Sequence, residues 1–228
     1  MVRHWKQAVG FAGVATVSVA VVMAMLLTLP QAGEAVPVAA APVSAAALHD
    51  AMRKLWEDHV TWTRLYIVSA AAGLPDKPAT TARLLQNQTD IGNAVAGYYG
   101  RAAGDALTAL LRSHILVAAE LVDAAKAGDQ ARAADASRRW YANADSIAAL
   151  LHGANPKHWP LATLQAAMKM HLDQTAAEAT HRLHGDYAAD AQDYDAIVNH
   201  ILGMADVLSD GIVAQFPARF ASAGRAGS

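Results

Sequence analysis

The chain has 228 residues and a formal net charge of −2; more than half of it is apolar, alanine is abundant and aromatics are few. That balance favours closely packed helices over strands, and near-neutrality removes any electrostatic case for nucleic acid or for a polybasic membrane patch. No cysteine is present, which excludes disulfides, thiolate metal sites and cysteine nucleophiles.

At the N-terminus, Arg3 and Lys6 precede an apolar run from Ala8 to Pro30 broken only by Thr16, Ser18 and Thr28. Its length of about 22 residues suffices for a bilayer, which needs about 20, and exceeds the usual signal-peptide core of about 7–15. Residues 1–30 therefore read either as a membrane anchor or as a signal peptide cut after small residues near Ala35 or Ala40. In both cases the positive flank stays in the cytoplasm and the body is exported. In a Gram-negative cell that is the periplasm, with the protein anchored to the inner membrane or released after cleavage. Residues 31–45, rich in Ala, Pro and Val and without a period, read as a flexible tether. Residues 46–220 form the helical bundle domain, and 221–228 a disordered tail.

Apolar residues recurring at three and four predict six helices, at about 46–71, 81–99, 105–127, 130–151, 160–183 and 187–215. Gly73, Gly100, Gly128, Gly153 and Gly185 each follow a periodic run, where a left-handed cap is wanted. Pro160 suits a first turn, Asp129 can cap helix 4, and Pro217 ends helix 6. Short connections force neighbouring helices antiparallel, so the expected fold is all-α, an up-and-down bundle. Trp56, Pro75, Asp90, Gly100 and His114 find counterparts in Trp140, Pro156, His171, Gly185 and His200. This suggests a duplicated three-helix unit.

Polar residues stand where core is expected. His59 lies between Leu55 and Trp62 on one face of helix 1, and His114 lies on the apolar face of helix 3. His171 shares a face of helix 5 with Leu164, Met168, Thr175 and Glu178. Asn143 shares a face with Ile147 and Leu150. A buried Glu178 needs a partner; Arg64, His59 and His114 are the candidates. Imidazole and carboxylate from facing helices are the usual metal ligands in helical cores, so His59, His114, His171 and Glu178 are candidate ligands of a transition metal ion. Asn143, Arg64, Asp90 and Thr175 are the supporting polar residues. Asp90, off the main seam of helix 2, reads as an ion-pair partner of Arg64 or Arg83. The paired Glu-x-x-His signature of di-iron bundles is missing. The alternative is a hydrogen-bond network that fixes helix register.

No phosphate loop, nucleophile elbow or kinase motif set is present. Several stretches occur together and in order: Leu55-Trp56-Glu57-Asp58-His59 with Trp62-Thr63-Arg64, Arg83-Leu84-Leu85-Gln86-Asn87 with Asp90, Leu110-Leu111 with His114, and Trp140-Tyr141 with Asn143. His171-Leu172 with Thr175 and Glu178, Met204-Ala205-Asp206, and Gln215-Phe216-Pro217 continue the series. From about Leu48 to Phe220 the chain resembles a family of small helical bacterial proteins of uncharacterised function, some of which carry names such as glycosyltransferase or acetylglutamate kinase. The resemblance implies a shared helical fold and polar centre but no established activity. Both names imply an α/β nucleotide-binding fold that this pattern lacks, which argues against an enzyme of either kind.

The expected function is that of an exported, membrane-tethered helical binding protein. Its polar centre would take a metal ion or a small polar ligand. A structural or protein-interaction module is the alternative, and a cell-envelope enzyme a third. The expected partners are the inner membrane, through the N-terminal segment, and an unspecified ligand or protein, with no nucleic acid.

Overall fold

The computed structural model describes residues 44–220. The anchor or signal segment, all but the last two tether residues, and the tail lie outside the described residues. Six helices follow in order: α1 (Ala45–Ala72), α2 (Lys77–Tyr99), α3 (Arg101–Ala127), α4 (Gln130–Ala154), α5 (Leu161–His184) and α6 (Tyr187–Gln215), then a 3-10 turn at Pro217–Arg219. No strand occurs among the described residues.

Two helices start a turn earlier than their periodicity predicts. Pro78 is accommodated in the first turn of α2, where its missing N–H leaves no bond unmade. α3 starts directly after Gly100, so Gly104 lies inside the helix. Gly153 is not a cap: α4 continues to Ala154, and Asn155 N–H closes onto Leu151 and His152 carbonyls. At two of the turns, a Gly-Asp pair reverses the chain. Gly128 and Gly185 take left-handed φ of 72° and 79°. Asp129 and Asp186 then accept from the backbone N–H of Arg132 and Ala189 at 3.0 and 3.1 Å, which ends one helix and starts the next.

Consecutive helices pack side by side, and α6 returns to α1, closing an up-and-down ring. α1, α3 and α5 run one way, and α2, α4 and α6 the other. α1 also touches α3 and α5 across the middle. The inner faces carry Met52, Trp56 and Val60 of α1, Leu107 and Leu111 of α3, Met168 and Leu172 of α5, and Ile197 and Ile201 of α6, all buried. Each such burial is worth about 1.5–3 kcal/mol. α6 alone among the described helices is long and apolar enough to cross a membrane; its packing between α1 and α5 accounts for that character.

α2 and α3 approach closely where glycine faces glycine. A Cβ on Gly104 would lie 2.6 Å from Gly92 O and 2.5 Å from Ala96 Cβ, and a Cβ on Gly92 would lie 2.7 Å from Gly104 O. Backbone cannot yield as a side chain does, so Gly104→Ala is expected to cost about 1–3 kcal/mol in urea unfolding. Gly97→Ala in α2, whose Cβ would meet nothing, is expected to stabilise the protein by about 0.5–1 kcal/mol. Equal midpoints for the two variants would contradict this packing.

Candidate functional site

The three helices that run the same way each present one histidine to the interior. His59, His114 and His171 are 3%, 3% and 4% exposed. The rings of His59 and His171 lie 5.6 Å apart, and Trp56 meets His59 edge-on at 5.8 Å. His114 packs against Trp140 at 5.3 Å, and His200 stacks on His171 at 6.5 Å.

Each histidine is braced by the helix that follows its own, in one recurring pattern. Asn87 of α2 donates to Leu55 O at 2.9 Å, and the amide nitrogen of Gln88 lies 3.3 Å from His59 Nδ1. Asn143 of α4 donates to Leu110 O at 3.2 Å and faces His114 Nδ1 through Oδ1 at 2.9 Å. His200 of α6 donates from Nε2 to Ala167 O at 2.9 Å. Leu55, Leu110 and Ala167 all sit one turn before the histidine of their helix. The polar bonds therefore recur in three helical hairpins, α1–α2, α3–α4 and α5–α6. The three-helix halves suggested by the Trp and Pro landmarks are not the unit in which they repeat. The Asn143 bonds also set a tautomer. Its amide nitrogen serves a carbonyl, so its oxygen must accept from His114 Nδ1–H, and the Nε2 lone pair is left free.

Burial dominates the electrostatics. It pushes His59 down to about 4 and His114 to about 3, the latter also opposed by charge on His59, with the Gln88 and Asn143 bonds offsetting part. His171 is driven well below its ordinary value by burial first, then by His59, His114 and His200. All three are neutral imidazoles at pH 7.

Several polar atoms around this layer have no protein partner: Trp56 Nε1, Gln88 Oε1 and His171 Nδ1. Gln88 is fully buried. Trp140 Nε1 is unpartnered as well, whereas the third buried indole, Trp159, donates to Val207 O at 3.2 Å. Trp56 and His200 also line a groove of about 310 Å³ that runs between α1, α4, α5 and α6.

The expected metal set is not assembled. Glu178 lies two turns beyond His171 on α5, and its carboxylate accepts from Arg64 at 2.8 Å. Arg64 also holds Asp190 at 2.8 Å, and Arg182 adds a third contact at 3.3 Å. Burial, together with Asp190 and Asp193 nearby, pushes Glu178 up to about 7 against the pull of Arg64. The one Glu-x-x-His spacing on α5, Glu178 to His181, is split, since His181 turns to Asp193 at 2.6 Å. Among the described residues no three His, Asp or Glu side chains are gathered to hold a metal ion.

The supporting residues divide in the same way. Asn143 belongs to the histidine layer. Thr175 steadies it indirectly, donating to His171 O at 2.8 Å, as Thr63 does to His59 O. Arg64 belongs to the ion cluster. Asp90 belongs to neither: it accepts from Gln86 at 3.1 Å on its own helix, while Arg83 turns to Asp58 and the Trp62 ring. Sequence reasoning passed over Asn87, Gln88 and Asp190. The first two had a visible signal, because they share the face of Leu84, Ile91 and Val95, which Asp90 does not.

No family model, curated protein or solved structure matches this chain.

Proposed function

We propose that the chain is an exported, membrane-tethered helical binding protein that takes a small neutral hydrogen-bonding ligand at its histidine layer. The observation that carries this reading is the concentration of unpartnered buried donors and acceptors there: Trp56 Nε1, Gln88 Oε1 and His171 Nδ1. Each unmet group costs about 1–3 kcal/mol, and a network serving helix register alone would have every member bonded. A ligand carrying both donor and acceptor groups meets these atoms. Neutral imidazoles give an anion no charge to pair with. On this reading the ligand enters from the groove that Trp56 and His200 line, with side chains there shifting to uncover the sealed atoms. Export rests on Arg3 and Lys6 ahead of the apolar run to Pro30.

Native mass spectrometry of the full chain, extracted from the cell envelope in mild detergent, tests the reading. A non-covalent organic adduct is expected on the wild-type protein and is expected to be lost in His171→Phe, whose circular dichroism stays helical. A bare mass in both proteins would leave the layer to ordered water and overturn the proposal, as would an adduct with the mass of a metal ion.

A further inference from the structure

The two ends of the bundle differ in charge. At the end where α1, α3 and α5 begin, the α2–α3 turn carries Arg101, the α4–α5 turn carries Lys157 and the 3-10 turn carries Arg219, all exposed. No Asp or Glu occurs in residues 44–47, 97–103, 154–162 or 213–220. The nearest acids, Asp105 and Asp210, stand about one turn further down α3 and α6. The opposite end is balanced: Asp76, Asp129 and Asp186 stand at its turns beside Lys77, Lys126 and Arg182. The net charge of −2, which argues against a basic patch when the sequence is read as a whole, averages over these unlike ends.

The three turns form one surface. Tyr99 donates to Gln215 Oε1 at 2.7 Å, Asn155 Nδ2 to the Tyr99 hydroxyl at 3.3 Å, and Gln215 Nε2 to Ala154 O at 3.3 Å. Arg219 lies 4.4 Å over the Tyr98 ring and donates to Gly97 O at 2.8 Å, and half-buried Phe220 stacks on the same ring at 5.9 Å. Tyrosine together with Arg and Lys is a combination found at the headgroup level of bilayers. The chain also leaves for its apolar N-terminal run from this end. His49 meets Asp210 at 3.1 Å, and Arg53 meets Asp206, a register that carries Ser44 to the level of Gln215. Residues 31–43, which span at most about 45 Å when extended, separate Ser44 from the run that ends at Pro30.

We propose that this end of the bundle docks on anionic phospholipid headgroups, with Arg101, Lys157 and Arg219 set against the lipid phosphates. A tether holds the surface at high local concentration, so three cations suffice where a free protein would need a larger basic patch. The inference rests on the membrane tether proposed above and not on a ligand at the histidine layer.

The full chain in nanodiscs tests the docking, with discs of phosphatidylcholine alone compared with discs containing phosphatidylglycerol, each with a trace of nitroxide-headgroup lipid. In the anionic discs the amide signals of Ala102, His158 and Phe220 are expected to broaden, while those of Gly73, Gly128 and Gly185 at the far end stay sharp. Each cation contributes on the order of fivefold to the ratio of docked to free protein. Arg101→Gln combined with Lys157→Gln, which keeps the Arg219 bond to Gly97 O, is therefore expected to lower that ratio on the order of twentyfold and to bring the broadening down to its level in phosphatidylcholine. Unchanged far-end shifts confirm that the variant is folded. Equal broadening at both ends, equal broadening in the two lipids, or no loss in the variant would each overturn the docking. A chain that elutes free of the discs would end the tether reading instead. The same amides are then followed with the chain added to phosphatidylglycerol vesicles, where broadening at this end alone would sustain the surface and its absence would overturn it.

Discussion

Stability to urea is expected to fall as the pH drops from 6.5 to 4, with a slope equivalent to about two protons taken up on unfolding near pH 5.5, three from the histidines less one from Glu178. The sign follows from the histidines. In the unfolded chain each protonates near its ordinary value of 6.5, whereas in the bundle burial holds His59 to about 4, His114 to about 3 and His171 well below normal. Between these limits the unfolded state binds more protons, so stability is intact above 6.5 and is lost as pH falls towards the folded values. At about 1.4 kcal/mol per pKa unit, His59 alone contributes on the order of 3 kcal/mol. His59 and His114 together come to about half of a typical domain's stability of roughly 5–15 kcal/mol, and His171 acts in the same direction. Glu178 works the other way: raised from 4.5 to about 7, it favours the folded state as pH falls through that range, one group against three. His181, raised beside Asp193, acts only above 6.5. Urea midpoints at half-unit pH steps check this. A flat profile from pH 6.5 to 4.5 would show that the imidazoles are not sealed from water. His59→Leu is expected to remove about one proton from the slope.

The helices were legible because their information is local. Apolar spacing and the Gly-Asp stops placed the start of α4 and both ends of α6, while α4 runs three residues further than expected. Where periodicity misjudged, at the starts of α2 and α3, the apolar pattern is interrupted by Pro78, which a first turn accommodates, and by Gly104, which lies against α2. Gly104 is helical because α2 presses on it at Gly92, and only a residue elsewhere in the chain reveals that. The site was half legible for a related reason. A histidine between Leu55 and Trp62 declares its own burial, so the three imidazoles were found together. Their partners depend on which helix lies opposite. Glu178 is on the same face as His171 in sequence, yet two turns of rise carry it away from the imidazoles to Arg64. The hairpin repeat was missed because it is carried by unlike residues, Gln88 with Asn87, Asn143 and His200, whose likeness is what they bond to.

Arg64→Met is expected to be the most damaging single substitution, costing about 3–5 kcal/mol, because it leaves buried carboxylates without their cation. Two turns past the three histidines stand Tyr66, Leu121 and Glu178. Only the third hairpin places a charge there, at the seam where α6 closes the ring against α1. Arg64 spans that seam: it donates to Glu178 and, from both Nη atoms, to Asp190 at 2.8 and 3.1 Å. Its guanidinium lies 4.7 Å above the Tyr194 ring, whose hydroxyl bonds Thr61 at 3.1 Å. Asp190 is 1% exposed and retains only Arg182 when Arg64 is removed. Glu178→Gln is expected to cost less than about 1 kcal/mol at pH 7, since a carboxyl raised to about 7 is already half neutral and the amide keeps its shape. Combining it with Arg64→Met is expected to recover part of the loss. Hydrogen exchange locates the damage: amides of α1 and α6 open first in Arg64→Met, while α2, α3 and α4 keep their protection. A loss below about 1 kcal/mol, or opening spread evenly over the six helices, would mean that apolar packing alone holds the first and last helices together, and that the cluster serves neither closure nor the register of the histidine layer beside it.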